Sequence, residues 1–327
     1  MKILRKGFIF TMLIFSFIVQ VTFGKTIEWK LGHNANTDHI WNETALFFAK
    51  TVEEESKGQL KIKVYPNGQL GSETDMINSV RMGTLDIVLA GETLQNWAPK
   101  AALMAVPYAF KNEEHVEKVL NSDVGLEIKE DIRKKAGLVA LYYHERAPRN
   151  LTTNKEIKSI EDIKGLTIRV PDVPVFIKAW EILGAKPTPM ALQEVFTALQ
   201  QGTIQGEENP YDLINSLGFY EVQKYAYETE HVYQWIYALV GERQLKKLSP
   251  ELQKVVLDAS KKSEEFAKSK FKQFTVDSKQ RLLDKGMKII QVNKKEYQER
   301  IVPAMEGILT KEQYDLYLRI IKEGDSL

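Results

Sequence analysis

Apolar positions along the chain switch repeatedly between two spacings, one suited to strands and one to helices. Residues 27–31 form a short apolar run, and Ile40, Ala45, Phe48 and Val52 then recur at helical spacing. A second run at 60–65 is followed by another helical period over 76–82 and a third run at 85–89. Turn signals fall at the joints: Lys57-Gly58 closes the first predicted helix and Pro66-Asn67-Gly68 breaks the second strand. The alternation predicts an α/β class, and the strand 85–89 delivers Ala90-Gly91-Glu92 to a carboxyl end, the edge at which open α/β sheets hold ligands.

A second unit of the same texture starts near Arg149. Residues 160–165 lead into a predicted strand at 166–170, a helix follows over 175–183, and 203–205 has strand character. Residues 213–225 are expected to be one helix and 232–240 one strand of about nine residues, too short to cross a membrane as a helix. Ser249-Pro250-Glu251 supplies an N-cap with proline at the first helical position. No breaker follows until Gly286, so a helix of roughly 35 residues, about 50 Å, is predicted, long enough to run along both units. A short strand at 287–292 and a helix from Lys294 end the chain.

The first residues change the picture. Lys2, Arg5 and Lys6 precede an apolar stretch over 8–23 that closes in Thr22-Phe23-Gly24, the pattern of a secretory signal peptide spanning 1–24. The whole chain has 45 basic and 44 acidic residues, and without the three bases of 1–24 it keeps 42 against 44. Such a near-neutral balance argues against a nucleic-acid partner. Cysteine is absent, which removes disulfides, a thiolate nucleophile and a cysteine-linked lipid anchor.

Catalytic spacings are missing as well: there is no Gly-x-Ser-x-Gly, His-Glu-x-x-His, Walker loop or Gly-x-Gly-x-x-Gly. His33 and His39 have no clustered carboxylates or cysteines beside them, so they read as loop or ligand-contact residues rather than metal ligands. His144-Glu145, taken as a strand end, suits a structural or hydrogen-bonding role better than acid–base work. No metal or cofactor is expected.

Glu145-Arg146-Ala147-Pro148-Arg149-Asn150-Leu151-Thr152-Thr153-Asn154, Gly165-Leu166-Thr167-Ile168-Arg169-Val170-Pro171 and Gly206-Glu207-Glu208-Asn209-Pro210 carry a specific pattern. So do Pro66-Asn67-Gly68-Gln69-Leu70-Gly71 and the block 189–202. With these motifs the chain resembles the extracytoplasmic solute-binding proteins of tripartite ATP-independent periplasmic (TRAP) transporters, of the dicarboxylate-binding DctP type. The resemblance implies a two-lobed periplasmic binding protein, type II-like, with hinge strands and a long lobe-spanning helix. Lobe 1 would comprise 25–147 plus 234–275, and lobe 2 148–233 plus 276–327.

The same resemblance makes Arg169 the residue that grips a substrate carboxylate, with Arg149 and Asn209 beside it. A guanidinium pairs with a carboxylate through two parallel hydrogen bonds, which lysine does not reproduce. Leu192 falls where sialic-acid binders place an aromatic, which argues against that ligand. Glu73 and Glu92 fall in cleft-facing loops, where they would accept from ligand hydroxyls or an amine, and His33 adds a polar group. Trp235, Trp180 and Tyr211 are candidates for the pocket wall, although Trp180 also suits a helical core face.

The function implied is periplasmic capture of a small organic acid by lobe closure, without catalysis, and delivery by a monomer to the integral membrane subunits of a TRAP permease. The polar set points to a sugar acid, a uronate or aldonate, with a C4-dicarboxylate as the alternative ligand. A ligand-presenting sensory receptor and an exported sugar-acid enzyme are the alternative functions.

Overall fold

The computed structural model describes residues 26–325, so the predicted signal peptide lies outside the described residues. Nine strands form one mixed sheet: β1 (Ile27–Gly32), β2 (Leu60–Tyr65), β3 (Ile87–Ala90), β4 (Leu138–Thr153), β5 (Thr167–Val170), β6 (Lys186–Pro189), β7 (Gly206–Asn209), β8 (Tyr225–Gly241) and β9 (Lys288–Gln291). Their order is β2-β1-β3-β8-β4-β7-β5-β6, with β9 beside β8. β1 pairs in parallel with β2 and β3, and β5 in parallel with β6 and β7, so each end of the sheet is a small parallel α/β unit.

The two ends are joined by β4 and β8, which run antiparallel from Leu138 opposite Gly241 to Thr153 opposite Tyr225. At about 3.3 Å per residue these strands span roughly 50 Å. β3 pairs with the Tyr237–Val240 part of β8, whereas β7 pairs with the Asn150–Thr153 part of β4. The ribbon is irregular in the middle, with register shifts between Arg146 and Arg149 and between Arg149 and Leu151. Glu230, on the opposing strand, has φ 41°. This is a sparsely populated conformation for a residue with a side chain, held here by its N–H donating to Asn150 Oδ1 at 3.2 Å.

Several sequence expectations change, and the strand character expected at 203–205 falls instead on β7. The stretch 213–225 is not one helix: the helix Tyr211–Ser216 stops ahead of Gly218, whose φ of 70° is left-handed, a short turn follows at Phe219–Glu221, and β8 has begun by Tyr225. β8 is therefore nearly twice the nine residues expected. His144 and Glu145 do not end a strand either, because β4 continues through them and through Arg149.

The long helix Pro250–Asp284 matches its prediction, and Ser249 Oγ accepts from Leu252 N–H at 3.3 Å as the N-cap. Its buried face begins at Leu252, Val256 and Ala259, continues through Ser260, Ser263 and Ala267, and packs on the helix Ile40–Glu55 and on β4. The serine hydroxyls donate back to carbonyls four residues earlier, which removes their need for water and permits close packing. Phe47 stacks on Phe266 with ring centres 4.4 Å apart, and further along Phe274 meets His39 at 5.1 Å. The same helix touches Tyr211–Ser216, so it contacts elements at both ends of the sheet.

The terminal helix Lys311–Gly324 returns to the first end. His115 Nε2 lies 2.8 Å from Ile320 O, Gln313 Nε2 donates to Pro99 O at 2.7 Å, and Arg319 pairs with Glu127 at 2.5 Å.

Candidate functional site

The irregular centre of the ribbon opens on a cavity of about 390 Å³, within the range of small-molecule sites. Six of the ten residues singled out in the sequence line it: Arg149, Arg169, Asn209, Glu73, Glu92 and Leu192. Arg146 and Asn34 join them.

Arg169 leaves β5 opposite Thr188 of β6 and Glu207 of β7, and is almost wholly buried at 3% exposure. Its Nε and Nη2 both donate to the Met190 carbonyl, at 3.0 and 2.7 Å. Among the described residues it forms no ion pair, as neither carboxylate of the adjacent Glu207-Glu208 is within reach. Burial lowers its pKa to about 10, because the charged form has lost its water without gaining an anion.

Arg149 is in the opposite situation. Its Nε and Nη2 bond both oxygens of Glu208 at 2.5 and 2.6 Å, and Nη1 lies 3.3 Å from Glu92 Oε1. Arg146 Nη1 bonds the other Glu92 oxygen at 3.0 Å, with its guanidinium 5.4 Å from the Trp41 ring centre. Burial alone would raise the pKa of Glu92, but the two arginines more than reverse this and hold it below the ordinary carboxylate range. Against the same burial, Arg149 and His231 bring Glu208 down to about 2, with His231 Nε2 at 2.9 Å. The Gln234 amide, turned so that its oxygen faces Arg146 Nη1 at 2.7 Å and its nitrogen faces Glu92 at 3.2 Å, completes this network.

Asn209 donates from Nδ2 to Glu207 Oε2 at 2.6 Å, and Thr152 Oγ1 donates to Glu207 Oε1 at 2.8 Å. Glu207 has no exposed surface, and burial pushes its carboxyl up to about 7. A carboxyl whose folded pKa exceeds its ordinary 4.5 favours the fold fully below 4.5 and loses that contribution as pH rises through 7. The unfolding free energy is therefore expected to fall between about pH 4.5 and 7, by on the order of 1–3 kcal/mol. Glu207→Gln should flatten that slope in urea titrations, and an unaltered slope would exclude Glu207 as its source.

Four sequence candidates lie off the cavity. Trp235 has no exposed surface and packs edge-on against Phe110 and Tyr237, with ring centres 5.7 and 6.2 Å away. Side chains alternate along a strand, so the face of β8 that gives Gln234 to the arginines turns Trp235 into the core. His33 is likewise fully buried, with Nε2 3.3 Å from Asn42 Oδ1, and burial lowers its pKa to about 4, so it is neutral. Its neighbour Asn34 reaches the cavity instead, accepting from Gln193 Nε2 at 2.7 Å. Trp180 is core, with its edge on the His231 ring, and Tyr211 donates to Glu228 at 3.1 Å. His231 and Gln234 carried no sequence signal of their own, and Glu208 entered only as part of its motif, with no role assigned. Strand phase could have found Gln234, which lies opposite Arg146.

A mixed sheet whose two α/β ends share a pair of crossing strands, with an arginine-lined cavity at the crossing, defines a two-lobed solute-binding protein. Residues 31–312 match the family model of DctP, the bacterial extracellular solute-binding proteins of family 7, and the chain belongs to that family. A solute-binding protein of Roseobacter denitrificans is 40% identical over 293 residues, 90% of each chain. A crystal structure of a TRAP periplasmic solute-binding protein from R. denitrificans with bound L-galactonate superposes with a TM-score of 0.88 at 39% identity, covering 90% of this chain and 98% of that one. One from Xanthobacter autotrophicus with bound β-D-galacturonate gives 0.86 at 28% identity, covering 90% and 99%.

Proposed function

We propose that this protein is the exported receptor of a TRAP transporter that captures a sugar acid, an aldonate or a uronate, and presents it to the permease without chemically altering it. The observation that carries the reading is Arg169: a buried guanidinium on the cavity wall with only a carbonyl to bond. A ligand carboxylate would supply the missing anion. Hydroxyl-accepting groups from the other wall, Glu73 and Glu92, suit a polyol tail. The sugar acids bound by the two neighbours above, on the same fold, support the class. Residues 1–24 fit export to the periplasm, and the receptor would act as a monomer.

Calorimetry with L-galactonate, galacturonate and succinate tests this reading. Micromolar or tighter binding of either sugar acid and weak binding of succinate is expected, and a preference for succinate would overturn it.

In this proposal the lobes are 25–147 plus 234–275 and 148–233 plus the segment from 276, with the terminal helix docked back on the first lobe. Ligand contacts would then be divided between them, with Glu73, Glu92 and Asn34 on one and Arg149, Arg169 and Asn209 on the other. A ligand that touches both sets stabilises the closed arrangement by its difference in affinity for the two states. Scattering at saturating galactonate should show a smaller radius of gyration, and labels on the exposed Lys61 and Lys158 should move closer. Unchanged values for both would mean a preformed cleft.

A further inference from the structure

We propose that Glu73 sets the specificity of this site, admitting the hydroxylated tail of a monocarboxylate sugar acid and rejecting the matching aldarate, whose tail ends in a second carboxylate. The inference rests on the sugar-acid reading above and deepens it. Its ground is the distribution of charge around the cavity. Three guanidinium groups line it, those of Arg146, Arg149 and Arg169. Arg146 and Arg149 are committed to Glu92 and Glu208. That leaves Arg169 as the cation on the cavity wall without an ion pair among the described residues, enough for one carboxylate and not for two.

Glu73 stands on the other wall. It opens the helix Glu73–Met82, directly after the N-cap Ser72, and its Oε1 accepts from Gly91 N–H at 3.2 Å, which fixes the carboxylate at the end of β3. Arg169 leaves β5, and β8, β4 and β7 lie between β3 and β5 in the sheet. The two groups thus face the ligand from opposite sides and form no ion pair with each other. No cation pairs with Glu73 among the described residues, and Glu92 and Asp172 line the cavity with it. A sugar hydroxyl would donate to Glu73. A carboxylate placed there would meet a like charge, with only hydroxyl and amide groups and no unpaired cation of the described residues beside it.

Burial, and then the charge of Glu92, push the Glu73 carboxyl up to about 7. The charged groups facing it are Glu92 from the segment after β3, Arg146 and Arg149 from β4, and Arg169 and Asp172 across the cavity, with Asp75 and Arg81 on its own helix. Rejection of a second carboxylate should therefore strengthen as pH rises through about 7 and relax below it, where Glu73 gains a proton and can donate.

The test is calorimetry of the full-length protein with galactonate and galactarate, which differ only at the tail carbon, at pH 6 and pH 8. Galactonate should bind at least about tenfold more tightly at pH 8, the equivalent of about 1.4 kcal/mol, and the ratio should narrow at pH 6. In Glu73→Gln the ratio should shrink by about tenfold at pH 8 and lose its pH dependence. The wild-type pH comparison decides the matter alone should that variant not fold. Equal affinity for the two acids in the wild type at pH 8 overturns the inference and leaves the sugar-acid reading intact, as does an unchanged ratio in folded Glu73→Gln. Failure of galactonate, galacturonate and galactarate all to bind overturns both.

Discussion

Arg169→Ala is expected to weaken sugar-acid binding by about 2–5 kcal/mol, the range for removing one partner of a buried, hydrogen-bonded charge pair. The loss is large because the guanidinium is buried: Arg169 is 3% exposed and held by Met190 O, so a carboxylate beside it interacts where water screens little. The ligand carboxylate then enters a fixed fork of donors and gains the full interaction. Arg169→Lys should lose most of the same energy, since an ammonium cannot hold the Met190 carbonyl and two carboxylate oxygens in one plane. Isothermal titration of both variants checks this. Losses below about threefold in both would remove Arg169 from the site.

The second large effect separates the two arginines by their influence on the ligand-free fold. Arg149→Met should lower the unfolding free energy by about 3–5 kcal/mol, because it leaves Glu208 with His231 as its remaining ion-pair partner and Glu92 with Arg146, in a network with almost no solvent access. Arg169→Met should be neutral or stabilising. It removes a buried cation whose partner is a carbonyl, and a similarly sized apolar chain fits the site without a charge to desolvate. Urea unfolding of the two variants without ligand gives the comparison. Equal destabilisation by both would show that Arg169 contributes to the fold as Arg149 does, and would contradict its assignment as the uncompensated charge.

The sequence was most informative where signals are local. β2 falls on residues 60–65 as expected, and the 35-residue helix is bounded by Ser249-Pro250 at one end and Gly286, with φ 87°, at the other. It was least informative for β4 and β8, the strands that organise the site. His144, Arg146 and Arg149 interrupt the apolar alternation of β4, and Glu228, Thr229 and Glu230 that of β8. Most of these residues are buried, and the two arginines are satisfied by partners more than fifty positions away, Glu92 and Glu208, which no local window contains. The motifs singled out Arg169, Arg149 and Asn209, and all three lie on the cavity wall. Trp235 was misplaced because its phase in β8 depends on a register with β4 that only the folded ribbon defines.

The same ribbon constrains how this receptor can change over generations. Loops at the sheet ends can lengthen at small cost, since closing a longer loop costs little entropy. The stretch from Arg146 to Arg149 has no such freedom. One inserted or deleted residue there would turn everything beyond it through half a rotation, carrying Arg149 to the wrong face and away from Glu208. Substitution at Glu73, Leu192 or Asn34 alters the cavity wall without touching the ribbon, whereas the length of the crossing strands is fixed by the requirement that Arg146 and Arg149 share one wall.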